Sequence, residues 1–154
     1  MQKQSAGILL YRKADGVLQV FLVHPGGPFY RNKDDGVWSV PKGEFLDGEE
    51  PLAAACREFE EETGQKINGR FIELSPVKQK SGKIVYTWAV EGDIDHETIT
   101  SNLFEMEWPP RSGKTANFPE IDRAGWFDMA TAGKKILPSQ LPILIELSDK
   151  TLKS

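Results

Sequence analysis

"GEFLDGEEPLAAACREFEEETG", residues 43–64, is the stretch on which the reading of this chain turns. Four carboxylates, Glu58, Glu60, Glu61 and Glu62, crowd into five positions behind Arg57. Like charges three and four apart on a helix repel by about 0.2–0.5 kcal/mol per pair, so helix propensity gives no reason for the cluster. Pro51 suits a first helical position and Gly64 a left-handed stop, which predicts a helix over Pro51–Thr63. Leu52, Ala55, Cys56 and Phe59 then fall at i, i+3, i+4 and i+7 as its buried stripe. Glu58, Glu61 and Glu62 share a different face, flanked by Arg57. Hard divalent cations take oxygen ligands, and Mg²⁺ binds through a few carboxylates, waters and phosphate oxygens. Three convergent glutamates are therefore a half-site that a phosphate chain would complete. A solvated acidic helix face is the competing reading, and for the run EFEEE alone it is the commoner one.

The whole chain sets the bounds. With 154 residues it fits one domain, 1–154, able to bury about 70 % of its unfolded surface. The single cysteine, Cys56, has no internal partner and reads as core, and the sequence shows neither a signal-peptide pattern nor a membrane-length apolar run. A reducing cytoplasm is the expected compartment, with no membrane partner and a monomer or homodimer as the expected state. A net charge of −4 argues against broad, sequence-independent attraction to nucleic acid. If such a protein handles phosphates, it must supply positive charge locally.

"SAGILLYRK" and "VLQVFLVH" predict two strands joined in a hairpin by Ala14-Asp15-Gly16. Residues 25–36 read as a loop, Val37–Val40 as a short strand ended by Pro41, and 43–50 as another loop. Beyond the helix, "GRFIELSPVKQ", "KIVYTWAVEG", "LFEMEW" and "AGWFDM" are strand-like, and residues 108–120 read as a long loop. A closing helix over about Pro138 to Asp149 carries Leu141, Ile143, Leu144 and Leu147. Strands, helix, strands, helix predicts an α/β protein with a mixed β-sheet sandwiched between helices.

Context around the helix overturns the solvated-face reading. Gly43, five residues, Glu49, seven, Arg57-Glu58-Phe59, one, Glu61-Glu62, one, Gly64: this spacing resembles the box of the Nudix hydrolases. Seven fixed types and one apolar position would coincide in about one chain in a million of this length. One departure is Gln65, where the family usually has an apolar residue. The resemblance implies a Nudix fold and a Mg²⁺-dependent (or Mn²⁺-dependent) hydrolase attacking a diphosphate linked to a nucleoside, with Glu58, Glu61 and Glu62 as metal ligands. Gly43, Glu49 and Gly64 are the framing residues of the box, and Arg57 orients a carboxylate. Nudix enzymes differ in the source of the general base, which leaves Glu58 in the box and Glu120, six residues before Trp126, as catalytic candidates; Glu105 and Glu107 are weaker ones.

"GVWSVPKGE" resembles the stretch leading into the box in asymmetrical diadenosine tetraphosphate hydrolases. It implies a dinucleoside polyphosphate substrate, with Lys42 as a phosphate contact and Trp38 beside it; a damaged or ordinary nucleoside triphosphate is the alternative. Arg31, Lys33, Arg111 and Lys114 are further candidates for distal phosphates. Tyr86, with Trp88 on the same strand face, and Phe29, Tyr30, Trp108 and Phe118 are candidates to stack a base. His24 reads as structural and His96 as surface. A non-catalytic module binding nucleotide or RNA is the rival from another class, and a degraded box would be its mark; here every box carboxylate stands.

Overall fold

The computed structural model describes residues 4–152. Strand β1 (Gln4–Ala14) turns at residues 15–16 into β2 (Val17–Pro25), antiparallel from Ala14↔Val17 to Tyr11↔Val20. A short β3 (Lys42–Glu44) follows, then helix α1 (Pro51–Thr63), β4 (Ile72–Glu73), β5 (Val77–Lys78) and β6 (Ile84–Glu91). The chain continues through β7 (Leu103–Glu107), β8 (Thr115–Pro119), β9 (Ile121–Asp128), α2 (Met129–Lys135) and α3 (Leu141–Leu152). The main sheet runs β4-β6-β1-β2-β9, with β3 added to β1 and β5 to β6, and β7 and β8 form a separate ribbon. Only β1 and β6 pair in parallel among the described strands, so the sheet is mixed, as expected.

The central strands are apolar on both faces because both are covered. Leu9, Tyr11, Val20 and Leu22 pack against Ala132 of α2 and Ile143, Leu144 and Leu147 of α3. Ile8, Leu10 and Phe21 pack against Ala54, Ala55 and Phe59 of α1. The helix sandwich read from the sequence is thus the observed layering.

Several boundaries differ. Val37–Val40 makes only isolated bridges, Trp38 to Ile136 and Ser39 to Val23, and the strand lies instead at Lys42–Glu44, inside what reads as a loop. Those three residues carry no strand periodicity; they are extended because β1 offers them partners, Gly7 to Lys42 and Ala6 to Gly43. Residues 108–120 hold half of a hairpin, since β8 pairs with β7. "GRFIELSPVKQ" breaks into the two short strands β4 and β5, both on β6. The stripe on α1 is rotated: Ala54, Ala55, Phe59 and Thr63 are buried, while Leu52 and Cys56 are only partly covered. Helix α2 has no counterpart in the sequence reading, because MATAGKK is too short and too Gly/Thr-rich to show a period.

Candidate active site

Helix α1 is framed as its sequence dictates. Pro51 opens it and Gly64 closes it at φ 77°, its N–H donating to the Glu60 carbonyl at 2.7 Å. With Ala54, Ala55 and Phe59 turned to the sheet, 3.6-residue periodicity brings Glu58 and Glu62 to the flank facing β3 and leaves Glu61 more exposed. Arg57 grips Glu49 as a fork, Nε donating to Oε2 at 3.1 Å and Nη2 to Oε1 at 3.2 Å. Its remaining nitrogen, Nη1, donates to Glu58 Oε1 at 2.9 Å and lies 3.4 Å from the Glu61 carboxylate. A positive partner for the acidic run is supplied by Arg57.

Strand β3 meets the helix at two consecutive residues. The Lys42 N–H donates to Glu62 Oε2 at 3.0 Å, and the Glu58 carboxylate lies so close to Gly43 that any Cβ there would overlap it. This is the physical reason for glycine at position 43: it needs no special backbone angle, only the absence of a side chain. The same close approach fixes where both carboxylates point.

Burial sets the electrostatics. It pushes the Glu62 carboxyl up from its ordinary 4.5 to about 8, against the pull of the Lys42 ammonium and with Glu58 and Glu120 adding to the rise. Burial also raises Glu58, reinforced by Glu61 and opposed by Arg57. Lys42 is lowered by burial and then by Lys83, while Glu62 and Glu44 hold its charge in place. Burial thus disfavours the charged forms of Glu62 and Glu58, and a cation beside them would offset that.

Among the described residues no three acidic, histidine or cysteine groups converge on a ready-made cage. The donors nevertheless suit a hard divalent ion: three carboxylates within one turn and a half of α1, one of them under-solvated and one cradled on a glycine. Glu58, Glu61 and Glu62 would hold such an ion, while Arg57 Nε and Nη2 would stay on Glu49.

Beside Glu62 opens a cleft of about 240 Å³. Val37, Val40, Ile121 and Leu137 give it apolar walls, Tyr30 an aromatic one, and Lys42, Glu62 and Glu120 its polar groups. Glu120 comes from far along the chain, clamped at the β8–β9 junction by its N–H to the Asn102 carbonyl at 2.8 Å and by Gly26 N–H to its own carbonyl at 2.9 Å. The box and this acid thus meet at one cleft.

Other candidates lie elsewhere. Trp38 is 5 % exposed, its indole N–H donating to Asp34 at 2.8 Å and its ring set edgewise to His24 and Phe127, so it is a core residue that does not line the cleft. Arg31 is exposed and lines a second cleft, not this one. Tyr86 faces α1, its hydroxyl 3.2 Å from Gln4 Nε2 and its ring against Phe45, also outside the cleft. Glu107 caps the β7–β8 turn by accepting from Arg111 N–H at 2.9 Å, and Arg111 and Lys114 belong to the exposed tip of that ribbon. Phe29 packs on Trp108 with ring centroids 5.8 Å apart. His96 is exposed. His24 is structural in position: wholly buried, with Nδ1 2.7 Å from the Asp122 carboxylate and Nε2 2.6 Å from the Lys33 carbonyl, it ties the 25–36 loop to β9. Asp122 escaped sequence reasoning, as did the cleft walls Ile121 and Leu137, because only folding makes them neighbours of residues so distant in the chain.

Comparison with known proteins identifies the family. The NUDIX domain model matches residues 1–147. An RNA pyrophosphohydrolase of Brucella anthropi is 30 % identical over 126 residues, covering 72 % of this chain and 67 % of its own. The crystal structure of a C. elegans Ap4A hydrolase binary complex superposes with a TM-score of 0.70 at 20 % identity, covering 97 % of this chain and 99 % of that one. The NUDIX domain of Shewanella oneidensis NrtR, complexed with ADP ribose, superposes with a TM-score of 0.66 at 18 % identity, covering 99 % and 89 %. At such identities the two structures attest the fold. With the box assembled around Arg57 and the family match running almost end to end, the chain belongs to the Nudix family, as a hydrolase of phosphoanhydride bonds.

Proposed function

We propose that this Nudix hydrolase is Mg²⁺-dependent, with Mn²⁺ as a substitute, and cleaves a dinucleoside polyphosphate such as diadenosine tetraphosphate. Nudix hydrolases generally use divalent metals; here Glu58, Glu61 and Glu62 would hold the ion. The single observation that carries the reading is that Lys42, Glu62 and Glu120 line the same cleft. A cation supplies neutralisation of phosphoryl charge and a more acidic water when bound. The remaining work falls to side chains. Arg57, anchored on Glu49, fixes the helix carboxylates at a set angle. The Lys42 ammonium, held charged by Glu62 and Glu44 although burial opposes it, meets the phosphate chain. Tyr30 and the apolar walls accept a base and exclude water. Two carboxylates stand where the proton of an attacking water can be taken, Glu58 and Glu120.

Intact box carboxylates favour an enzyme over a silent nucleotide- or RNA-binding module. Acting on a small nucleotide, the protein would work in the cytoplasm as a monomer or homodimer; no helix among the described residues is long and apolar enough to cross a membrane. The test is a panel of dinucleoside polyphosphates, nucleoside triphosphates, nucleotide sugars and 5′-triphosphorylated RNA, incubated with Mg²⁺ and resolved by chromatography. Turnover of diadenosine tetraphosphate ahead of the rest is the expected result. Rapid turnover of a triphosphate with that compound inert would overturn the substrate reading and the role assigned to Lys42. The Glu120→Gln variant separates the two bases: loss of kcat with metal affinity retained assigns the proton to Glu120.

A further inference from the structure

A second and larger cleft, of about 710 Å³, runs along β9, the outer strand of the main sheet. Its floor includes the small residues Ala124 and Gly125, and its walls carry Arg12, Arg31, Lys33, Arg123 and Lys135 against one carboxylate, Asp34. That is an unusual concentration of positive charge in a chain whose net charge is −4. Part of it is already neutralised, since Arg12 pairs with Asp93 and Lys135 with Asp34, each at 2.7 Å. Arg31, Lys33 and Arg123 make no ion pair with any described residue. The Asp34 carboxyl, held below its ordinary range chiefly by Lys135, is also lowered by Arg123, which donates to the Lys33 carbonyl at 3.4 Å. Three cations with no ion pair on one concave surface still raise its potential, and an anion lowers it.

Two further observations say what kind of anion. The Arg12 guanidinium, tied to Asp93 and Gln19, is stacked 4.1 Å over the Trp126 ring, and such a planar cation–aromatic pair is of the sort that accepts a nucleobase. The groove also adjoins the active-site cleft across the 25–36 loop. Tyr30 lines the cleft and residues 31–34 line the groove, while the Lys33 ammonium sits 5.5 Å above the Tyr30 ring and so spans the two. A phosphate chain leaving Lys42 around Tyr30 would meet Lys33, then Arg31 and Arg123.

We infer that this groove binds the far, phosphate-bearing nucleotide of the substrate, with Arg31, Lys33 and Arg123 on its phosphates and the Arg12–Trp126 stack against its base. The inference rests on the proposed function, in which the scissile diphosphate joins two nucleotide arms. One chemistry serves two sources: the second nucleoside of a dinucleoside polyphosphate, or the first residues of an RNA chain.

The experiment is charge reversal, Lys33→Glu with Arg123→Glu, read by binding without added divalent metal so that no turnover is needed. Diadenosine tetraphosphate is titrated calorimetrically, and a short 5′-monophosphorylated RNA by fluorescence anisotropy at two salt concentrations. Loss of about tenfold or more in affinity is expected for at least one probe, with a shallower salt dependence for the RNA. Loss with the dinucleotide alone assigns the groove to a second nucleoside, loss with RNA alone to a polynucleotide, and loss with both to either arm. Affinity unchanged for both overturns the inference. Should the reversed protein fail to fold, Lys33→Gln with Arg123→Gln must show the same sign with about threefold loss. Failure of the two readings is distinguishable: no turnover anywhere on the panel, with groove binding still sensitive to the reversal, sinks the substrate reading alone, whereas turnover with binding insensitive to the reversal sinks only the groove.

Discussion

Replacing Gly43 with alanine puts a methyl group where the Glu58 carboxylate now lies. The built Cβ would sit 2.6 Å from Glu58 Oε1 and nearer still to its other carboxylate atoms, whereas ordinary contact begins at 3.4 Å. Glu58 must therefore retreat by at least about 0.8 Å, taking with it the 2.9 Å bond from Arg57 Nη1. A displacement near 1 Å in a catalytic group costs on the order of 10²-fold in rate, or about 2.7 kcal/mol of transition-state stabilisation. Stability should suffer less, because the obstacle is the movable end of a side chain and the backbone at Gly43 is extended beside Ala6. A loss of about 1 kcal/mol and a fall of about 2–4 °C in Tm are expected. The assay is steady-state kinetics over a Mg²⁺ titration, paired with a thermal melt of the same preparation. If the Gly43→Ala protein kept activity within threefold and the same metal dependence, the contact between Glu58 and position 43 would not be what aims the carboxylate, and the packing argument for the box would fail.

Three other outcomes follow from the same geometry. Glu62 holds its proton up to about pH 8 in the fold but only to its ordinary 4.5 when unfolded, so metal-free stability should fall as pH rises through that window, and Mg²⁺ affinity should rise with it. Glu62→Gln removes its share of both effects: its metal-free melt should lose most of the slope while turnover disappears, and a slope as steep as in the unaltered protein would refute the assignment. Arg57→Lys cannot fork Glu49 while reaching Glu58 and should lower kcat by about 10–100-fold, measured at saturating Mg²⁺. His24→Phe strands the Asp122 carboxylate and the Lys33 carbonyl and should cost about 3 kcal/mol, seen as a fall of about 6–12 °C in Tm; an unchanged melt would show that the imidazole does not anchor the loop.

From sequence alone came the box, the helix bounds and the layering, since each depends on neighbours in the chain. Proline at one end and glycine at the other bracket a helix locally, and the spacing of Arg57, Glu58, Glu61 and Glu62 fixes their common flank at 100° per residue. The apolar strands 4–14 and 17–25 announced their burial by composition. Tertiary structure alone decided what faces that helix. Lys42-Gly43 is a strand because β1 offers it partners, Glu120 reaches the cleft because the β7–β8 ribbon returns the chain there, and Trp38 packs against His24 and Phe127 while bordering the second cleft. The basic groove likewise exists only after folding, since its cations come from strands and loops more than a hundred residues apart. Local periodicity registers the forces between residues a turn apart; contacts between distant segments depend on how whole elements pack, and the order of residues does not display them.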